Sequence, residues 1–156
     1  MTKRREFIKK NLMGTTGIAI GGLGFNPKSY ASIRGANDRV NVAVIGIRGQ
    51  GQGHIQSYSR LENVQVAALC DVDSNLFDQV ISNRFTSKGL PKPKLYTDLR
   101  KLYEDKDIDA VSIVTPNHWH ALASIWAMQA GKHVSVEKPC CHNFYEGRKL
   151  VEAAEN

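Results

Sequence analysis

Cysteine is scarce in this chain. The three that exist, Cys70 and the adjacent Cys140 and Cys141, have a spacing that makes neither a disulfide framework nor a zinc knuckle. Cys70 ends an apolar run and reads as a small buried hydrophobe. Long hydrophobic runs are also missing: the stretch from Leu12 to Phe25 is short and broken by glycine and threonine, which argues against stable membrane insertion. No internal repeat or low-complexity segment is present. The net charge of +6 is an excess of one sign only at the start. Residues 1–31 hold six of the 21 basic residues and one of the 15 acidic ones, leaving 15 against 14 in the body. A body so nearly balanced has no polyanion-binding signature, so no nucleic-acid partner is expected.

The start itself has the layout of an export signal. A basic opening leads into a weakly apolar stretch and then to small residues at Ser29 and Ala31, with cleavage expected after Ala31. Arg4-Arg5 followed by Glu6, Phe7, Ile8 and Lys9 resembles the twin-arginine signal, which generally carries folded proteins, so a cofactor can be loaded before transport. The expected organisation is a signal peptide over 1–31, a polar linker over 32–38 and a domain over 39–156, located in the periplasm or otherwise exported. The plain alternative for residues 1–31 is a disordered basic tail.

With 42% apolar and 23% charged residues, the body has enough material for one globular domain. Short β-branched runs alternate with segments of helical period. Strands are expected over Arg39–Ile45, Val64–Cys70, Ala110–Val114 and His133–Val136, with a short extra one at Leu95-Tyr96. Helices are expected over Gly51–Leu61, Ser74–Ser87, Leu99–Glu104 behind an Asp98 cap, His118–Ala130 up to the stop at Gly131, and Phe144 to about Ala154, opened by an Asn143/Glu146 capping box. Gly89, Pro91 and Pro93 end the second helix. Nearly continuous apolar strands imply a sheet covered on both faces, hence an α/β, doubly wound parallel sheet with right-handed crossovers. The last helix calls for a further strand, so the domain is expected to be incomplete within these residues.

Directly after the first strand comes a glycine-rich turn, Gly46 to His54. A dinucleotide diphosphate needs backbone amides at a helix start and no side chains in the way, and glycine meets both needs. The spacing departs from G-x-G-x-x-G, because Arg48 stands at the middle position with Gly49 beside it. Gly46 fits the tight turn and Gly51 the close helix contact, while Arg48 is placed either to lie along the phosphates or to shield them. Asp71 follows the second strand, where a carboxylate accepts hydrogen bonds from ribose hydroxyls and repels a 2′-phosphate, so NAD is favoured over NADP. The plain alternatives are a structural glycine loop, and an Asp71 or Asp73 that caps the next helix.

Two more strand ends carry polar clusters. Thr115-Pro116-Asn117 is placed to face the nicotinamide half of such a cofactor. His118 and His120 lack a carboxylate or thiolate companion, so no metal is expected; one opens the helix and the other packs or contacts ligand. Glu137-Lys138-Pro139 is the sharper signal. A lysine at the end of a buried strand, between a carboxylate and a rigid proline, is positioned to hydrogen-bond a substrate hydroxyl and tune proton movement. The alternative is an exposed lysine that merely ends a strand.

The run VAVIGIRGQGQGH, CDVD, Tyr96-Thr97-Asp98, DIDAVSIVTPNHWHA and AGKHVSVEKP, in that order, resembles the glucose–fructose oxidoreductase and inositol dehydrogenase (Gfo/Idh/MocA) family over about Val40 to Ala154. The resemblance implies a Rossmann NAD(P)-binding domain followed by an α/β substrate domain, whose open sheet often builds a homo-oligomer interface. It implies Lys138 as the catalytic lysine, with Glu137 a cofactor-contacting neighbour. Gly46, Arg48, Gly49 and Gly51 would form the diphosphate loop, Asp71 would sit at the ribose, and Thr115, Asn117 and His120 beside the nicotinamide riboside. The family's downstream aspartate and histidine have no counterpart in these 156 residues. The expectation is the amino-terminal domain of an exported, NAD-dependent oxidoreductase acting on a sugar or polyol. Two rivals stand beside it: an NAD-dependent glycoside-cleaving enzyme of the same fold, and a non-catalytic nucleotide-binding fragment.

Overall fold

The computed structural model describes residues 39–155. The expected signal peptide and linker lie outside the described residues. Five strands form one parallel sheet: β1 (Val40–Ile45), β2 (Val64–Cys70), β3 (Lys94–Tyr96), β4 (Ala110–Ile113) and β5 (His133–Val136), in the spatial order β3-β2-β1-β4-β5. The connecting helices are α1 (Gly49–Tyr58), α2 (Leu76–Arg84), α3 (Leu99–Tyr103) and α4 (His120–Gln129), and α5 (Phe144–Ala154) follows β5. The expected doubly wound fold is therefore present, a Rossmann-like sheet whose strand order reverses between β1 and β4.

Each face of the sheet has its own core. Ala43, Ile45, Ala68, Cys70, Val111 and Ile113 pack on the side of α3 and α4, whereas Val44, Val66 and Leu69 pack on the side of α1 and α2. A fully buried aliphatic side chain contributes roughly 1.5–3 kcal/mol, so β1, buried on both faces from Val42 onward, anchors the fold. One feature of this packing escapes a simple alternation rule. Val42 pairs with Val66 but Ala43 pairs with Ala68, and this irregularity lets Val66 and Leu69 share a face.

Several boundaries differ from those expected. Helix α1 starts two residues early, at Gly49, and stops at Tyr58, where the Ser59 amide and hydroxyl both donate to the Ile55 carbonyl. Helix α2 is shorter at both ends, and Thr86–Lys88 turns into a 3₁₀ segment before Gly89 at φ +65°. Helix α4 is preceded by a 3₁₀ turn, Asn117–Trp119, in which the Trp119 amide donates to the Pro116 carbonyl. The capping box at α5 is displaced by one residue: Asn143 accepts from the Glu146 amide, but Glu146 accepts from the amide of His142. A larger correction concerns β5. It is an edge strand whose residues alternate between exposed and half-buried, so Lys138 does not end a buried strand.

Candidate functional site

The reversal between β1 and β4 opens a crevice at their carboxyl ends, and Gly46 stands in it. Its φ of +85° already disfavours any side chain, and a Cβ there would lie 2.7 Å from the Val114 carbonyl oxygen. The chain then turns under the control of Asp71. The Gly46 amide donates to the Cys70 carbonyl, and the Ile47 amide donates to Asp71 Oδ2 at 2.9 Å. A Cβ on Gly51 would sit 1.9 Å from the Gly46 carbonyl oxygen, which forces the first turn of α1 against the strand end. Arg48 occupies the cap position and supplies no side-chain cap to the first amides of the helix, of which that of Gly51 donates to the Arg48 carbonyl at 2.7 Å.

Asp71 also accepts the Asp73 amide at 3.0 Å through its other oxygen. Both carboxylate oxygens thus shape the loop, and each keeps a second lone pair for a ligand hydroxyl. Asp71 does not cap α2, whose cap residue is Asn75. Arg48 pairs with Asp73 at 2.5 Å and remains 70% exposed, bridging the glycine turn to the loop after β2. Cys70, buried behind Asp71, has its thiol pushed up to about 12 by burial, then by the Asp71 and Asp98 charges, which leaves it protonated and inert.

Three cavities follow one another along this rim. The first, of 570 Å³, is lined by Gly46, Asp71, Val72, Pro116, Trp119 and Trp126. A second, of 360 Å³, lies over Arg48, Gly49, Gln50 and Thr115, and also touches Gly46 and Asp71. The third, of 380 Å³, is lined by Gln50, Thr115, Asn117, His120, Glu137 and Lys138. A smaller cavity of 220 Å³ near Arg39 and Leu61 lies at the opposite end of the strands and gathers no comparable cluster.

Thr115 and Asn117, both in the lining of the third cavity, each bury one side-chain oxygen without a hydrogen-bond partner among the described residues, Thr115 Oγ1 and Asn117 Oδ1. Unpaired buried oxygens cost free energy unless a ligand donor meets them. Lys138 is exposed there, and among the described residues its ammonium belongs to no ion pair. The neighbouring Glu137 is held below the usual carboxylate range, chiefly by a hydrogen bond from His54 and then by the Lys138 amide. The residues on this rim fit a dinucleotide: an apolar, tryptophan-lined cavity with a carboxylate, then a glycine-flanked helix start, then orphaned acceptors beside a free lysine.

The structure brings all ten expected residues to this rim, with one in an unexpected posture. His120 is 3% exposed, and both ring nitrogens lie against backbone carbonyls, Nδ1 2.8 Å from that of Pro139 and Nε2 2.7 Å from that of Thr115, of which a neutral ring donates to one. It therefore clamps the two strand-end loops together rather than presenting a nitrogen to the cavity. His118 lies in the first cavity with Trp119 and Trp126. Gln50 and His54 were missed by sequence reasoning; only their position in the glycine turn hinted at them.

The profile of the oxidoreductase family with an NAD-binding Rossmann fold matches residues 40–156. A glycosyl hydrolase family 109 protein of Shewanella pealeana is 34% identical over 168 residues, covering 97% of this chain and 37% of that protein. An alpha-N-acetylgalactosaminidase of Shewanella oneidensis is 32% identical over 169 residues, with the same coverage of 97% and 37%. The chain thus spans little more than a third of the length of these relatives. Among solved structures, myo-inositol 2-dehydrogenase from Lactobacillus plantarum is 27% identical with a TM-score of 0.65, over 75% of this chain and 33% of that one. An NAD-binding oxidoreductase from Klebsiella pneumoniae is 31% identical with a TM-score of 0.65, over 75% and 32%.

Proposed function

The chain belongs to the Gfo/Idh/MocA oxidoreductase family, with its NAD-binding Rossmann fold, and from that premise we propose that it is the cofactor-holding domain of an enzyme that oxidises a sugar or polyol hydroxyl. Bound nicotinamide supplies the hydride acceptor. Gly46, Gly49 and Gly51 leave room for the diphosphate at the start of α1, and Asp71 accepts from the adenosine ribose, which favours NAD over NADP. Thr115 and Asn117 accept donors from the nicotinamide end. Lys138 hydrogen-bonds the substrate hydroxyl and handles its proton. The observation that carries this reading is that Thr115 and Asn117, each with an unpartnered side-chain oxygen, line one cavity with an unpaired Lys138, on the same rim as the glycine turn.

Export to the periplasm, a further substrate domain and assembly into a homo-oligomer accompany this proposal, supported by the leader's residue pattern and by the family. A second reading has a specific observation in its favour, because curated relatives carry glycosidase names. The same site would then begin glycoside cleavage by oxidising a ring hydroxyl and end it by returning the hydride. Replacing Lys138 with alanine in the full-length protein is the test: turnover should vanish while NAD+ affinity stays near wild type, and unchanged turnover would refute the role. Accumulation of free NADH with a simple sugar selects the dehydrogenase; cleavage of an aryl glycoside without net NADH selects the other.

A further inference from the structure

One imidazole joins three elements of this site. His54 lies in α1, with Nδ1 2.8 Å from Ser112 Oγ in β4 and Nε2 2.8 Å from Glu137 Oε1 just past β5. Ser112 is 1% exposed, so its hydroxyl faces the ring inside the protein. Glu137 accepts the Lys138 amide through its second oxygen at 3.2 Å, and its side chain also meets that of Gln50 in α1. Tyr58, one turn further along α1, packs edge-on against the ring with centroids 6.1 Å apart.

The chemistry of the three partners sets their roles. An ionised carboxylate only accepts, so the proton on His54 must sit on Nε2. In a neutral ring Nδ1 is then the acceptor, and the Ser112 hydroxyl donates to it. The next residue of α1, Ile55, is apolar and fully buried in the core. What an apolar residue could not do is occupy the Glu137 carboxylate. Released from His54, that carboxylate would be free to turn to the neighbouring ammonium of Lys138, the one group that has to stay available.

We propose that His54 is a positioning residue: it fixes the Glu137 carboxylate, and with it the backbone entering Lys138, to the helix whose start faces the cofactor diphosphate. This rests on the cofactor reading above, and it makes the Ser112–His54–Glu137 chain the link between the phosphate end of the site and its lysine.

The experiment uses full-length protein carrying His54→Ala or His54→Gln, the second keeping a donor within reach of Glu137. Amide hydrogen exchange at Lys138, measured without cofactor, should rise about tenfold in His54→Ala, the loss expected for one hydrogen bond to a charged group, while Val111 and Ile113 stay protected. Turnover at saturating cofactor should fall by a similar factor with little change in NAD+ Kd, and His54→Gln should recover much of both. Wild-type exchange at Lys138 in His54→Ala, or a rise spread evenly over β1 and β4 in both variants, would overturn the proposal. Failure of the wild-type protein to bind NAD+ would defeat the cofactor reading instead, while exchange at Lys138 still decides the role of His54.

Discussion

Gly51 stands against Gly46 so closely that a β-carbon built on it would be 1.9 Å from the Gly46 carbonyl oxygen. Two residues five apart in sequence thus form the floor on which a diphosphate would rest, and neither the strand end nor the helix start has slack. Gly51→Ala should cost on the order of 1–3 kcal/mol of stability through backbone displacement and should abolish NAD+ binding. Gly53→Ala is the matched control. Gly53 lies in the same helix with open space around its Cβ position, so alanine there should add about 0.5–1 kcal/mol. Thermal unfolding and calorimetric titration read both.

Asp71 accepts the Ile47 and Asp73 amides at the edge of the first cavity. With the proposed ribose role, Asp71→Ser should weaken NAD+ binding by roughly ten- to a hundredfold, the scale of hydrogen bonds to a charged group, and should narrow the proposed preference over NADP+. Parallel titrations with the two cofactors measure the ratio; a preference that stays put would remove Asp71 from specificity.

His120 holds the Thr115 and Pro139 carbonyls from the interior. His120→Ala should remove the hydrogen bond that the ring N–H donates together with the packing of the buried ring, and cost on the order of 2–4 kcal/mol, seen as a lower midpoint in urea denaturation. Loss of cofactor affinity without loss of stability would mean that the ring serves the ligand directly.

Acid should weaken the fold at two aspartates. Asp98 is lowered to about 2 by the Arg100 side chain and then by the Arg100 amide it caps, and Asp105 to about 2 chiefly by Lys94. Depressed carboxylates add stability that is fully present above their unfolded value near 4 and is lost as pH falls toward 2. Stability measured from pH 5 down should decline through that window, and Asp98→Asn with Asp105→Asn should flatten the decline.

The parts of the molecule legible in the sequence were those governed by local chemistry. Apolar runs such as Val64–Cys70 and His133–Val136 gave strands with the observed ends, and Asp98 and Asn143 capped the helices expected of them. The paired-residue irregularity at Val42/Ala43 and the exposure of β5 were not legible, because both depend on which strand lies alongside. The same holds within the site. Lys138 and Asp71 announce themselves by following strands, but the tie from His54 to Glu137 spans 83 positions, and the double grip of His120 depends on two loops converging.

The contact between Gly46 and Val114 has a consequence for how the protein matures. The cradle exists only once β4 has docked beside β1, after some sixty intervening residues have been threaded through β2, α2 and β3. Such distant closure is slow compared with helix formation, so capacity to capture a dinucleotide should emerge late, together with the central sheet. Any nascent chain shorter than that point would carry the glycine signature with nothing opposite it.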